Sequence, residues 1–431
     1  MSPRSSRSST SSEARVTGWT AVTLATVAVF VGSWLGIHNG WFARGQLIDT
    51  PTYQSYGDAI ARGEAPYRDF SLEYPPGALP VFVLPTGFVA TESPDDYRSW
   101  FEDEMLGLGL VLVLIVAMTI RGLEPRLTRA LPGLAIAGLA PLLAGSLILT
   151  RFDLWPAALT AGALAALLWD RRSAAAILLG FAIAAKLWPA VLVPLVLAWE
   201  WRRRGRRFAL DWAILLVLVL ACCFVPFAVL SPGGLAHSIG VQLRRPLQVE
   251  SLGSSVLMAL HHLFGLGLHF HSSFGSQNLT GAWANVAAVA TSAIEVSTLI
   301  AIWLVFARGP AEPERLVAAA AGAVAVFVAF GKVFSPQFLI WLVPLVALVR
   351  GFAAPLLLAA ALALTQTWFP HDYWPLALGA AQPQSWLLLA RNLCVVALTA
   401  MLVRRLRPER EPIRAPRPVI ADADDGKAVA R

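Results

Sequence analysis

Lysine is nearly missing from this chain: only Lys186, Lys332 and Lys427 occur, and arginine takes the other basic positions. Cysteine is as scarce. Cys222, Cys223 and Cys394 all lie inside apolar runs, without CxxC or Cys/His spacing, so neither a disulfide framework nor a zinc site is suggested. No GxxxxGK[ST] loop occurs, so no soluble nucleotide site is visible. Charge is low throughout, with 14% of residues charged against 57% hydrophobic in a chain of 431 residues. With mean hydropathy at +0.62, the chain repeatedly runs near the ~20 apolar residues that a bilayer crossing needs. It reads as a polytopic membrane protein. The 34 Lys+Arg against 27 Asp+Glu leave a net charge of +7, but the excess sits in short segments beside hydrophobic runs. That pattern orients membrane spans and does not point to nucleic acid.

Candidate spans fall at roughly 17–37, 103–120, 130–149, 156–169, 173–185, 187–200, 208–230, 284–307, 315–331, 336–350, 352–369 and 385–403. The expected fold is therefore an all-α integral membrane bundle of about twelve transmembrane helices. Arg121, Arg126, Arg129, Arg171, Arg172, the run Trp201 to Arg207, Arg308, Arg315, Arg404 and Arg405 all fall on the side of the N-terminus with this set, which makes both termini cytoplasmic. Residues 77–91, GALPVFVLPTGFVAT, are apolar enough to be mistaken for a span. Two prolines and about 15 residues argue for an interfacial or re-entrant helix there. Residues 173–200 should form a tight hairpin with Lys186 at its outer apex. Residues 1–16 and 405–431 are expected to be disordered cytoplasmic tails around a membrane domain at 17–404. The outer polar segments are then 38–102, 150–155, 231–283, the junction Lys332 to Gln337, and 370–384. No internal sequence repeat is found.

The first outer segment is rich in candidates. Asp49, followed by Tyr53, Tyr56 and Asp58, would sit just above the membrane, where a carboxylate can deprotonate an acceptor hydroxyl. The structural alternative is a helix N-cap, because Asp49-Thr50-Pro51 is also a helix start signal. Glu73 and Tyr74 precede two prolines that stiffen the backbone, with Tyr67, Arg68 and Asp69 just before them; a surface ion pair of Arg68 with Asp69 or Glu73 is the plain reading. Arg151 and Asp153 share a very short loop between apolar runs, either as a mutual ion pair or as a site, with Asp153 a second carboxylate and Arg151 a phosphate ligand. Lys186 is a point charge suited to phosphate, with snorkelling as its alternative.

Later in the chain, Arg244, Arg245, Gln248, Glu250 and Ser251 lie in LRRPLQVESLGSS, where outward basic residues suit an anionic ligand or, alternatively, lipid headgroups. Lys332, Ser335 and Gln337 sit at a Ser-Pro break at the mouth of a span, where Gln337 could bind sugar hydroxyls or cap a helix. The adjacent His261 and His262 cannot share one helix face, and Glu295 is a candidate only as a charge inside a span. His371, Asp372 and Tyr373 carry too little context to assign.

The ordered set DTPTYQSYGDAI, GEAPYRDFSLEYPPGALP, RFDLWPA, KLWPAVLVP and KVFSPQFLIWLVP resembles the family 87 glycosyltransferases of actinobacteria, over about residues 17–404. The resemblance implies the membrane-embedded GT-C architecture, with interfacial helices and a catalytic aspartate in the first outer loop, and a polyprenyl-phosphate sugar as donor. Asp49 matches that aspartate, and Asp153 the second outer-loop acid of related enzymes. Where the family's α-mannosyltransferases look like SHHWVW, this chain has SPQFLIW, so mannose, arabinofuranose and other pentoses or hexoses stay open. The expected activity is transfer of a sugar to a cell-envelope glycolipid or glycan at the outer face of the plasma membrane. Asp49 acts as base, while Lys186, Arg151 and Arg245 hold the departing phosphate, and Tyr53, Tyr56, Glu73 and Gln337 line the pocket. The carboxylates permit a divalent metal without requiring one, and no other cofactor is implied. A transporter or flippase of a lipid-linked or small anionic substrate is the alternative, and a non-catalytic scaffold is a third reading.

Overall fold

A computed structural model of the chain describes residues 6–41, 47–88, 93–124 and 126–406, with side chains from residue 16, residue 41 excepted. The tail expected at 405–431 lies outside these residues from 407 on, whereas most of the tail expected at 1–16 belongs to the first helix, α1 (Ser6–Gly36). This helix leads from an arginine-rich end of the bundle, where Gly18 meets Leu127, to the opposite end, where His38 pairs with Glu102 at 2.7 Å. There the chain folds into α2 (Thr50–Ala61), a 3-10 turn (Pro76–Ala78) and α3 (Leu79–Thr86), the short helices expected in the first polar segment. Return is by α4 (Pro94–Leu123). Ser93 caps it by accepting from the Asp96 amide at 3.3 Å, with Pro94 in the first turn and Asp95 and Asp96 at the positive end of the helix dipole.

The span expected at 130–149 is instead three pieces, α5 (Leu127–Gly138), α6 (Ala140–Ala144) and α7 (Leu147–Thr150). Pro141 sits at the start of the second, and Gly145, with φ of 61°, breaks the chain before the third. Next come α8 (Leu154–Leu168) and α9 (Arg172–Ala185); after Lys186 the chain turns through a 3-10 segment (Trp188–Leu192) into α10 (Val193–Arg204), which forms the expected hairpin. The long α11 (Arg206–Leu230) leads to α12 (Pro232–Arg244).

The segment 231–283 departs from the all-α expectation. It holds β1 (Leu247–Gln248), α13 (Leu252–Phe264), β2 (His269–Ser273) and β3 (Ser276–Thr280), and the strands form one antiparallel sheet in the order β1-β3-β2. Leu247 and Phe270 both lie opposite Leu279. Helix α13 runs beside the start of the last helix: Ser255 meets Asn392 at 3.0 Å and His262 meets Ser385 at 2.9 Å.

The remainder is α14 (Ala282–Arg308), α15 (Pro313–Phe330), a 3-10 turn (Pro336–Phe338), α16 (Leu339–Ala347), α17 (Ala353–Gln366), α18 (Tyr373–Gly379) and α19 (Gln384–Arg404). Among the described residues six helices are long and apolar enough to cross a membrane: Val16–Gly40, Pro94–Leu123, Arg206–Leu230, Ala282–Arg308, Pro313–Phe330 and Gln384–Arg404. The expectation of about twelve is thus met by length for six, and α8, α9, α10, α16 and α17 have only 9 to 15 residues each. These short helices are mostly interior, whereas α11 exposes Ile214, Val217, Leu218, Val225 and Val229. Such a surface is tolerable only against lipid. The protein is a membrane protein.

The basic stretches gather at one end. Arg172 pairs with Glu200 at 2.5 Å, Arg204 with Asp170, and Arg350 with Glu124 at 3.4 Å. Arg315 donates to the carbonyls of Pro310 at 2.7 Å and Leu406 at 3.1 Å.

Candidate active site

The opposite end collects acids, bases and aromatic rings. Asp49 stands at the start of α2, and its carbonyl accepts from the Tyr53 amide at 3.1 Å. Its carboxylate does not cap the helix. It pairs with the guanidinium of Arg151, which also donates to the Leu47 carbonyl at 2.9 Å. Burial pushes the Arg151 guanidinium down to about 10, opposed by the charges of Asp153 and Glu250. The Tyr53 hydroxyl lies 3.4 Å from the Asp49 carboxylate. Its ring stacks on Phe82 with centroids 4.5 Å apart, and Tyr74 meets Phe152 edge-on at 4.9 Å.

Two glycines permit this approach. A side chain at Gly57 would run into the Phe82 carbonyl at 2.6 Å, and one at Gly77 into the backbone of Ala184 and Ala185 at 2.5 and 2.6 Å. The Gly77 carbonyl accepts from the Trp155 indole at 3.0 Å. The first polar segment is thereby pinned against the ends of α8 and α9.

Arg151 and Asp153 do not pair with each other. Asp153, almost wholly buried, accepts from Lys186 at 2.6 Å and from the Trp341 indole at 2.5 Å. The Lys186 ammonium lies 4.7 Å from the centre of the Phe152 ring, 5.1 Å from Trp341 and 5.6 Å from Phe338, an aromatic cage around a buried cation. Snorkelling is excluded by this geometry.

The late segment closes the other side. Gln248 bonds Ser335 at 2.9 Å, and its amide donates to the Lys332 carbonyl at 2.9 Å. Lys332 reaches back to the Leu243 carbonyl at 2.8 Å, and Arg245 to the Phe274 carbonyl at 2.7 Å. Glu250 is buried. The Tyr373 hydroxyl faces it, and Arg391, from α19, donates to its carbonyl at 2.9 Å while lying 3.8 Å from the centre of the Phe334 ring. Burial lifts the Glu250 carboxyl to about 7, against the pull of Arg391, Tyr373 and Arg245. Tyr373 is raised too, chiefly by burial.

Asp49, Arg151, Asp153, Lys186, Arg245 and Glu250 therefore belong to one cluster, linked by contact or by the field each exerts on the next. Buried polar atoms in it lack partners: Arg151 Nε, Asp153 Oδ2, Arg245 Nε, Glu250 Oε2, Arg391 Nε and Nη1, and Asn392 Oδ1. Buried polar atoms are normally satisfied, so this concentration marks a place prepared for something polar.

Other expected site residues stand apart. Arg68 forms an exposed pair with Asp69 at 2.8 Å, the plain reading of that segment. Arg244 donates within its own helix to the Gly240 carbonyl at 3.2 Å. Asp58 exerts its charge on Tyr97 of α4. Tyr56 and Glu73 lie at the rim, where Gln242 donates to the Glu73 carbonyl at 3.1 Å. Gln337 is half-buried in the 3-10 turn before α16. Among the described residues no three His, Cys, Asp or Glu side chains converge to hold a metal. Two cavities among the described residues lie away from the cluster: one of about 20 Å³ in the apolar core beside Leu164 and Leu192, and one of about 220 Å³ between His269, Thr280 and Trp283.

Sequence reasoning did not single out Trp341, Arg391 or Asn392, and left Tyr373 unassigned. Arg391 carried a usable signal, being a charge inside the apolar run of α19. Among known proteins, the family model described as glycosyltransferase family 87 matches residues 72–336. That stretch contains Asp153, Lys186, Glu250 and Lys332 and begins after Asp49. No curated protein matches the chain.

Proposed function

Because the chain belongs to glycosyltransferase family 87, we propose that it transfers mannose or arabinofuranose from a polyprenyl-phosphate donor to a glycolipid or glycan of the cell envelope. The observation that carries this reading is a pair of carboxylate–cation contacts, half-buried Asp49 with buried Arg151 and buried Asp153 with half-buried Lys186, at one end of a lipid-exposed bundle. A donor dissolved in the bilayer brings its phosphate to such an end without a nucleotide pocket. The bias of basic residues supports a cytoplasmic arginine-rich end and, with it, a cluster at the outer face of the plasma membrane.

Asp49 removes the proton from the acceptor hydroxyl as that oxygen attacks the anomeric carbon. The bond from that carbon to the phosphate oxygen breaks, and Lys186, Arg151 and Arg245 stabilise the charge that collects on the phosphate. Asp153 and Trp341 position Lys186, while Tyr53, Tyr74 and Phe152 pack together beside Asp49.

The test is transfer of radiolabelled sugar from a panel of polyprenyl-phosphate sugars, using membranes with wild-type protein or Asp49→Asn. Loss of transfer at equal protein level supports the assignment and names the donor. Equal transfer removes Asp49 from the mechanism, and transfer with no donor in the panel removes the donor class.

A further inference from the structure

Three arginines lie within the field of one buried carboxylate, Glu250. Arg151 enters from the loop between α7 and α8, Arg245 from the link between α12 and β1, and Arg391 from two turns inside α19. Each exerts its field on Glu250 or feels the field of Glu250. Each also keeps a buried N–H without an acceptor: Nε of Arg151, Nε of Arg245, and Nε and Nη1 of Arg391. The fourth neighbour is the Tyr373 hydroxyl from α18. Arg391 is fully buried, flanked by Phe334 at 3.8 Å and Trp368 at 5.5 Å, and is fastened to the Glu250 carbonyl, as is Asn392 at 3.3 Å.

Even with Asp49 paired to Arg151, these carboxylates leave the three guanidinium groups with buried N–H donors to spare. Their spare donors have the chemistry of a phosphate site, in which planar N–H forks meet anionic oxygens. Glu250 occupies the centre of that field. A second anion brought beside it in a water-poor setting would repel it strongly unless one of the two were neutralised.

We propose that Glu250 stands in for the lipid phosphate while the site is empty and takes up a proton when a phosphate anion enters among Arg151, Arg245 and Arg391. This rests on the donor class proposed above. It also balances the reaction. The acceptor O–H and the anomeric C–O bond break, the new glycosidic C–O bond forms, and the electron pair leaves on the phosphate, which passes from a singly charged diester to a doubly charged monoester with release of one proton. Asp49 takes that proton, and Glu250, neutral since the donor bound, adds no charge beside the doubly charged product. Tyr373 is a positioning residue here, because it acts on Glu250 and through it on the phosphate, whereas Arg391 meets the phosphate with its spare donors. The raised proton affinity of Glu250, near pH 7, agrees with the role.

The probe is an isoprenyl methyl phosphodiester, whose single charge does not change between pH 6 and 8, so any proton taken up belongs to the protein. Calorimetry of its binding to the purified full chain, in buffers of differing ionisation enthalpy, should count about half a proton taken up near pH 7, rising towards one at pH 8 and falling towards none at pH 6. Affinity should fall by about tenfold from pH 6 to pH 8. Glu250→Gln should bind with the acid-side affinity at every pH and take up no proton, and Tyr373→Phe should displace the pH midpoint. Wild-type binding with no proton uptake overturns the proposal, as does uptake that persists in folded Glu250→Gln. Absence of binding at every pH sinks the donor class and this inference with it, whereas pH-independent binding sinks this inference alone.

Discussion

Both ends of the bundle are rich in charge, yet they use it differently. At the arginine end, Glu200 holds Arg172, Glu124 and Glu314 hold Arg350, and Arg315 and Arg405 are spent on backbone carbonyls that helix ends leave open. Among the described residues, Arg315 Nε is the atom of a charged group left without a partner there. At the other end the acids and bases are also paired, but Arg151, Asp153, Arg245, Glu250 and Arg391 each keep a buried atom unsatisfied. A structural ion pair is finished when the chain folds. A pair meant for a substrate keeps hydrogen-bonding capacity in reserve and carries its cost. The two ends therefore predict opposite outcomes for similar substitutions.

The largest effect belongs to Asp153→Asn. It leaves Lys186 buried without its carboxylate, at a cost of about 3 kcal/mol in stability, and should lower transfer by at least about 100-fold. The double variant Asp153→Asn with Lys186→Met should recover much of the stability and none of the transfer, read by thermal unfolding beside a rate assay. Wild-type transfer in the single variant would erase the contrast between the two ends. Glu200→Gln is the counterpart at the arginine end, where Glu200 is 2% exposed. It should also cost about 3 kcal/mol, but transfer per folded molecule should stay within about twofold, and a larger loss would mean that the arginine end communicates with the site.

A smaller effect, one that changes with pH, comes from Glu250. Its carboxyl is raised from an ordinary value of 4.5 to about 7, so the folded protein holds a proton there that the unfolded chain gives up. Stability is unaffected below pH 4.5, declines as pH climbs through 7, and stays depressed above it. Glu250→Gln removes this penalty. It should stabilise the protein by at most about 3 kcal/mol at pH 8 and leave it unchanged near pH 4. Unfolding curves of the two proteins that run parallel at all pH values would place Glu250 with the finished ion pairs of the other end.

Much of this was open to reading from the sequence, for an electrostatic reason. Asp49, Arg151, Asp153 and Lys186 are charges pressed against apolar runs, and hydrocarbon makes such charges conspicuous. Their partners were not legible. Arg151 and Asp153, two residues apart, invite a mutual pair, but the backbone turning into α8 sends one to the first polar segment and the other to the hairpin apex. Arg391 was hidden by its span, and its contact with Glu250 joins residues far apart in sequence. The sheet was hidden by length, as strands of two to five polar-mixed residues carry no periodicity. The short helices were read as spans because an apolar run does not reveal whether lipid or protein surrounds it. The break at 130–149 did have its signals, in Pro141 and Gly145.

The smallest expected effect sharpens the comparison from within the site end. Arg68 holds Asp69 by two bonds, at 2.9 and 2.8 Å, and Asp69 also accepts the Ala65 amide at 2.8 Å. The arrangement holds the Asp69 carboxyl down to about 2, so its charge is constant over any working pH. Yet the pair is exposed and leaves no buried atom unsatisfied, which gives it the character of the arginine end in the neighbourhood of the other. Exposed pairs contribute little, because water screens them and the side chains lose freedom in forming them. The double variant Arg68→Ala with Asp69→Ala should therefore keep transfer within about twofold of wild type, with an unchanged unfolding temperature. A collapse of transfer in that variant would mean that proximity to Asp49, and not burial with unsatisfied atoms, is what distinguishes a working charge in this protein.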